Sequence, residues 1–195
     1  MSIDNLIINN LEEQISTINK LKQNKQVIEE IYQKIKNARN NNNKIFVMGN
    51  GGSSSTASHF VSDLLKTSLI KGVNRPKAIS LTDNIPVLMA WANDTEFKNI
   101  FANQLENFLE KDDIVIGISG SGNSENVVKA IEFANKTEAK TICLLGRDGG
   151  ELAKISQTNL IIPNEDMLTI ETMHLLVCHL ITALLRLEGK PVFSY

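Results

Sequence analysis

Lys44 to Leu65 reads KIFVMGNGGSSSTASHFVSDLL, and three kinds of chemistry follow one another in it. Ile45, Phe46, Val47 and Met48 form a short apolar run with no polar break, the pattern of a strand buried on both faces of a parallel sheet. Gly49, Gly51 and Gly52 then permit positive φ and close approach to a ligand, while Ser53, Ser54 and Ser55 supply capping hydroxyls for the next helix. Unpaired amides at such a helix start attract anions. A glycine-rich strand-to-helix turn also occurs with no ligand at all, so a second instance of the pattern carries weight. It is Ile114 to Asn126, IVIGISGSGNSEN, in which the hydroxyls and amides of Ser119, Ser121 and Ser124 can converge on one anion.

Both loops exclude other uses. Neither is followed by Gly-Lys-Ser or Gly-Lys-Thr, which removes the Walker A phosphate loop, and neither completes GxGxxG, which removes the dinucleotide fingerprint. GISGS around Ser119 has Ser121 where the nucleophile elbow GxSxG needs glycine, and no HExxH occurs.

At 195 residues the chain is long enough for one well-buried domain and short for two, so 1–195 is read as a single domain with 1–43 as an N-terminal helical extension. A formal charge of -2 and no sustained basic cluster argue against a nucleic-acid surface. The N-terminus MSIDNLIINNLEE has early acidic residues and no unbroken apolar stretch, so neither a secretory signal nor a membrane span is expected, and a cytoplasmic location is. Cys143 and Cys178 sit in apolar runs without CxxC spacing and read as reduced core residues.

Ile3, Leu6, Ile7, Leu11, Ile15, Ile18 and Leu21 make one helical stripe that needs a partner. A second amphipathic helix is predicted over Val27 to Ala38, ended by the turn-forming run Asn40 to Asn43. Further along, strands are predicted at Ala78–Leu81, Ile114–Ile118, Thr141–Leu145 and Leu160–Ile162. Helices are predicted at Ile85–Ala92, Thr95–Leu109 and Ser124–Ala134, the second with Phe97, Ile100, Phe101 and Leu105 inward. Alternating strands and helices imply an α/β fold, a three-layer αβα sandwich on a mostly parallel sheet, with ligands beyond the carboxyl ends of the strands.

GNGGSSSTASHF together with ISGSGNSENVVKAIEFA resembles the SIS (sugar isomerase) domain, and specifically the phosphoheptose isomerase group. The similarity extends over the leading helices, WANDTEF at Trp91 to Phe97, LLGRDGGELA at Leu144 to Ala153, and the last helix with ETMHLLVCH. The resemblance implies a homotetramer with sites between subunits, converting sedoheptulose 7-phosphate to D-glycero-D-manno-heptose 7-phosphate, the first step toward the heptose of surface polysaccharides. It places phosphate contacts on Ser119, Gly120, Ser121 and Ser124, and sugar contacts on Asn50, Gly51, Gly52, Ser53, Asn93 and Asp94. Gly120 stands where the family usually has threonine.

His59 and Asp63, four apart on one predicted helical face, suit a divalent metal such as zinc, although His59 packed under the first loop satisfies the same spacing. The resemblance completes a zinc set of His59, Asp63, Glu171 and His179, with Asp63 and Glu171 also touching substrate. It makes Asp63 and His179 the catalytic pair, Asp63 as base and His179 serving the sugar oxygens. Asp63 replaces a family glutamate, Glu171 a glutamine and Thr67 an arginine, for which Lys66 is a candidate substitute. His174 is read as a core or interface histidine. The alternative to an isomerase is a non-catalytic SIS protein, either a sugar-phosphate sensor or one resembling the group that binds the replication initiator DnaA.

Overall fold

The computed structural model describes residues 2–194. In chain order the helices are α1 (Ile3–Leu21), α2 (Lys25–Asn40), α3 (Gly52–Ser62), α4 (Ile85–Asp94), α5 (Ala102–Leu105), α6 (Glu125–Lys136), α7 (Gly150–Ile155) and α8 (Met167–Arg186). The strands are β1 (Lys44–Gly49), β2 (Lys77–Ser80), β3 (Ile114–Ser119), β4 (Lys140–Gly146) and β5 (Thr158–Ile162). All pairings are parallel, in the order β2-β1-β3-β4-β5. The expected sandwich is present, and its sheet is wholly rather than mostly parallel.

Side chains that alternate along each strand enter two separate cores, which explains why the strands carry unbroken apolar runs. Ile45 and Val47 of β1, Ile114, Ile116 and Ile118 of β3, and Ile142 and Leu144 of β4 pack under α2, α3 and α8 with Ile31, Ile35, Phe60, Leu64 and Val177. The interleaved Phe46, Met48, Val115, Cys143 and Leu145 pack on the opposite face with Phe101, Leu105, Val127 and Ile131. Burying each such side chain contributes roughly 1.5–3 kcal/mol. Gly117 lets α6 approach that face, since a Cβ there would lie 2.8 Å from Val127 Cγ1. Burial pushes the Cys143 thiol up to about 12 and the Cys178 thiol further still, so both remain inert thiols of the core.

α1 and α2 join through the 3-10 turn Lys22–Asn24 into a nearly continuous helical segment. At the other end of α2, Glu188 accepts from Tyr32 at 3.0 Å and from Arg39 at 3.0 Å, clasping α2 to the chain just after α8. Ile3, Leu6, Ile7, Leu11 and Ile15 are all more than half exposed, so the apolar stripe of α1 is uncovered in the single chain. By length and composition α8 is apolar enough to cross a membrane, yet half of it is buried, with Met173, Val177, Ile181 and Leu185 inside the core.

One expected element is different. In place of a helix over Thr95–Leu109 there is a 3-10 turn, Phe97–Asn99, and the four-residue α5. Ile100, Phe101 and Leu105 are buried as expected, but Phe97 is 61 % exposed. Burying the three residues against the sheet bends the chain away from one regular helix, and buried Gln104 donates to the freed carbonyl of Ile100 at 2.8 Å and to Leu81 O, beyond β2, at 3.1 Å.

His174 lies wholly in the core, its Nε2 3.0 Å from the carbonyl of Leu145, with Nδ1 unpartnered. Nε2 therefore carries the proton and donates. Burial pushes the imidazole down to about 4 from an ordinary 6.5, outweighing the carbonyl bond that favours the charged form. Its folded value is the depressed one, so between pH 6.5 and 4 the unfolded chain takes up a proton that the folded chain does not. Stability is expected to fall by about 3 kcal/mol as the pH drops through that window. Urea midpoints at pH 7 and pH 4.5 check this, and His174→Gln, which cannot titrate, should flatten that part of the acid dependence.

Candidate active site

The connections of β1 and β3 leave the sheet on opposite faces, so the carboxyl ends of these neighbouring strands open a crevice at the switch point. Both glycine and serine loops stand there. Asn50 and Asn126 tie them together with a reciprocal amide pair, 2.8 and 2.9 Å. A cleft of about 240 Å³ is lined by Asn50, Ser53, Ser119, Gly120, Ser121, Ser124 and Glu171, together with Ile118 and Met167.

Each loop delivers a helix start to this cleft. Ser124 precedes α6, but its hydroxyl lies 3.2 Å from Ser119 Oγ and does not cap the helix; Val127 N is taken by Asn126 Oδ1 at 3.0 Å, which leaves the amides of Glu125 and Asn126 open to an anion. Gly51, with φ 54°, turns the chain from β1 into α3. Gly52 opens α3 directly against Glu171, since a Cβ there would lie 2.3 Å from Glu171 Oε2. Asn93 and Asp94, at the end of α4, are exposed and bonded to one another at 2.8 Å, outside the cleft of their own chain.

The serine loop is buttressed from behind by residues that spacing did not single out. Gly122 donates to Ser119 O and Ser119 Oγ, both at 3.2 Å. Its own carbonyl accepts from Leu152 at 2.9 Å, and Asn123 Oδ1 accepts from Glu151 N at 2.9 Å. Gly122 has φ 67°, and a Cβ would lie 2.0 Å from the carbonyl oxygen of Gly149. The only sequence signals for these partners were the asparagines and the GRDGGELA segment itself.

One helical stretch further along, α3 and α8 bring together His59, Asp63 and His179. His179 Nε2 is 3.0 Å from His59 Nε2, and Asp63 Oδ2 is 3.6 Å from His59 Nε2 and 3.7 Å from His179 Nε2. Both imidazoles are about half exposed, whereas the Asp63 side chain is 13 % exposed. The helix widens at this carboxylate into a π-helical turn, Asp63–Thr67, closed by the Ser68 amide on the Asp63 carbonyl at 2.8 Å.

Two imidazoles and a carboxylate are zinc-type donors, and ligands around a tetrahedral zinc at 2.0–2.1 Å stand about 3.3 Å apart, close to the spacing found here. The three side chains therefore fit a divalent metal. Glu171 is not in this cluster and stands in the cleft. Lys66, the substitute considered for the family arginine at position 67, carries its ammonium over the Phe193 ring at 5.2 Å.

A fold of this topology has counterparts among known proteins. The family model of the SIS domain matches residues 9–146, and the chain belongs to the SIS-domain family. The phosphoheptose isomerase of Helicobacter pylori strain 26695 is 45% identical over 143 residues, 72% of this chain and 73% of that protein. The structure of a phosphoheptose isomerase from Francisella tularensis is similar with a TM-score of 0.90 and 29% identity, covering 96% of this chain and 100% of that one. That of the Neisseria gonorrhoeae phosphoheptose isomerase gives 0.87 and 26%, over 94% and 98%.

Gly122→Ala is expected to destabilise the fold by about 2 kcal/mol or more, because the added methyl meets rigid backbone at a positive φ. A wild-type urea midpoint would show that the loop has another way to close.

Proposed function

We propose that this chain is a phosphoheptose isomerase, an aldose-ketose isomerase converting sedoheptulose 7-phosphate to D-glycero-D-manno-heptose 7-phosphate through an enediol. The observation that carries this is the joint placement, along paired helices, of a serine-lined anion cleft and a carboxylate with two imidazoles. Gly52 faces Glu171 and His59 faces His179, seven or eight residues on, a separation of about 10–12 Å along α3 and α8. That is of the order of an extended seven-carbon phosphate ester.

The phosphate is assigned to the Ser119–Ser124 loop, with Ser119, Ser121 and Ser124 donating hydroxyls and Gly120 a backbone amide. Asn50, Gly51, Gly52, Ser53 and Glu171 hold the sugar, and Asn93 and Asp94 add contacts in the assembled tetramer. Asp63 takes the proton from C1 of the ketose while O2 gains one, which yields the enediol. Loss of the O1 proton and return of the carboxylate's proton to C2 complete the aldose. His179 serves the sugar oxygens. A zinc ion held by His59, Asp63 and His179 would supply Lewis-acid polarisation of those oxygens. Asp63 has two carboxylate oxygens, so metal binding and proton transfer do not compete for one atom. The product would feed heptose into surface polysaccharide, in the cytoplasm.

The test is incubation of purified protein with a panel of ketose phosphates, with and without zinc, and identification of any aldose formed. Asp63→Asn should lower turnover by about 100- to 10,000-fold while sugar-phosphate binding persists, since an amide cannot accept the proton. Turnover at the wild-type rate would move the base to another carboxylate, with Glu171 first. Zinc should raise the melting temperature of the wild type and leave that of the His59→Ala, His179→Ala double variant unchanged.

The uncovered stripe of α1 is assigned to a homotetramer with a helical centre and sites between subunits. Light scattering at micromolar concentration should give four times the chain mass, and a monomer would refute the assignment.

A further inference from the structure

One wall of the cleft is a side chain that hydrogen bonding to a sugar or phosphate does not require. Met167, the first residue of α8, lines the cleft among serines. Its Sδ lies where a side chain on Gly120 would stand, since a Cβ at 120 would be 2.3 Å from Sδ and 3.1 Å from Cε. Gly120 is not among the positive-φ residues, so backbone conformation does not demand glycine there; space does. The two positions share one volume, and a flexible, polarisable thioether fills it. The backbone beneath is held, because Asp166 caps α8 by accepting from Thr169 N at 2.8 Å. Ile170, one turn on, lies under both Gly120 and Gly146.

We propose that Met167 is the specificity-determining residue at the phosphate end of the cleft: laid across Gly120, its thioether closes the apolar side of the cradle and leaves room for a terminal phosphomonoester but not for a phosphodiester. This rests on the sugar-phosphate function above. The thioether offers a phosphate no hydrogen-bond donor, so it acts by filling space and excluding water. Exclusion strengthens the bonds from the serine hydroxyls and from the first amides of α6, which work in a lower local dielectric. A phosphodiester needs room for a second ester carbon, and on the Gly120 side of the cradle Met167 already fills that room. Met167 acts on the non-reacting end of the substrate, so its effect falls on binding common to ground and transition states, which moves KM rather than kcat.

A double-mutant cycle tests the shared volume. Gly120→Ala, which displaces the thioether, and Met167→Ala, which removes it, should each raise KM about tenfold with kcat within a factor of two. In the double variant the new methyl occupies vacated space, so KM should rise far less than the hundredfold product of the single effects. Met167→Gln, similar in length but polar, should raise KM by drawing water to the cradle while it still excludes a diester, which separates the water-excluding part of the role from the space-filling part. Met167→Ala should also admit a methyl phosphodiester of the same sugar phosphate, which the wild type rejects. Thermal melts confirm that each variant is folded.

The cycle is read in parallel from calorimetric affinity for inorganic phosphate, which needs no turnover. Absence of isomerase activity then refutes the function above, while the proposal is still decided by the phosphate cycle. Single effects that multiply in the double variant, a fall in kcat at constant KM, continued exclusion of the diester by Met167→Ala, or no phosphate affinity in the wild type would each overturn it.

Discussion

The side-by-side course of α3 and α8 over one face of the sheet is the constraint on which the rest depends. Two close contacts set it, Gly52 against the carboxylate of Glu171 and His59 against His179. A side chain at 52 would meet the Glu171 carboxylate at 2.3 Å, so the absence of a Cβ at the helix start is what lets α8 present Glu171 and Met167 to the cleft. From there both helices advance at the same rise per residue, so the contact at their starts also brings His59, Asp63 and His179 together.

The core holds this arrangement from beneath. Leu145, whose carbonyl receives the His174 imidazole, is the register partner of Ser119, the first residue of the serine loop. One buried hydrogen bond therefore links α8 to the strand beside the cradle. Ile170 packs under Gly120 and Gly146, and Gly122 packs against the Gly149 carbonyl. The cradle is thus fixed mainly by backbone and apolar contacts, and where Ser119 and Ser121 take part they accept from the amides of Gly122 and Asn123, which leaves hydroxyl protons for a ligand apart from the one shared between Ser119 and Ser124. That division suits an anion site, because donors already spent on structure contribute little to binding.

The departures that the resemblance implies fall into two physical kinds. Gly120 is explained by space, since Met167 occupies what a side chain would need. Asp63 and Glu171 redistribute charge: the shorter carboxylate sits at the head of the π-helical turn and meets both imidazoles, while Glu171 sets a second carboxylate in the cleft. Nothing in the structure explains the threonine at position 67.

What the sequence alone determined was periodic or local. The unbroken run Ile45–Met48 and its counterpart in β3 declared a sheet buried on both faces, because each face of a parallel sheet must be covered by helices. The two glycine and serine loops declared strand-to-helix turns with free amides, and the spacing of His59 and Asp63 declared a shared helical face, all set within a few residues of chain. Composition and spacing were silent on what lies far apart in sequence and close in space: the Asn50–Asn126 amide pair, the buttress of Gly122 by Gly149, the thioether of Met167 over Gly120, and the break of the expected helix after Thr95. His179 and Glu171 were legible only through resemblance. The structure separates them, with His179 beside His59 and Glu171 in the cleft, because eight residues of helix carry them about 12 Å apart. Only the tertiary structure decides such pairings, since they depend on which helix lies on which face of the sheet and at what height.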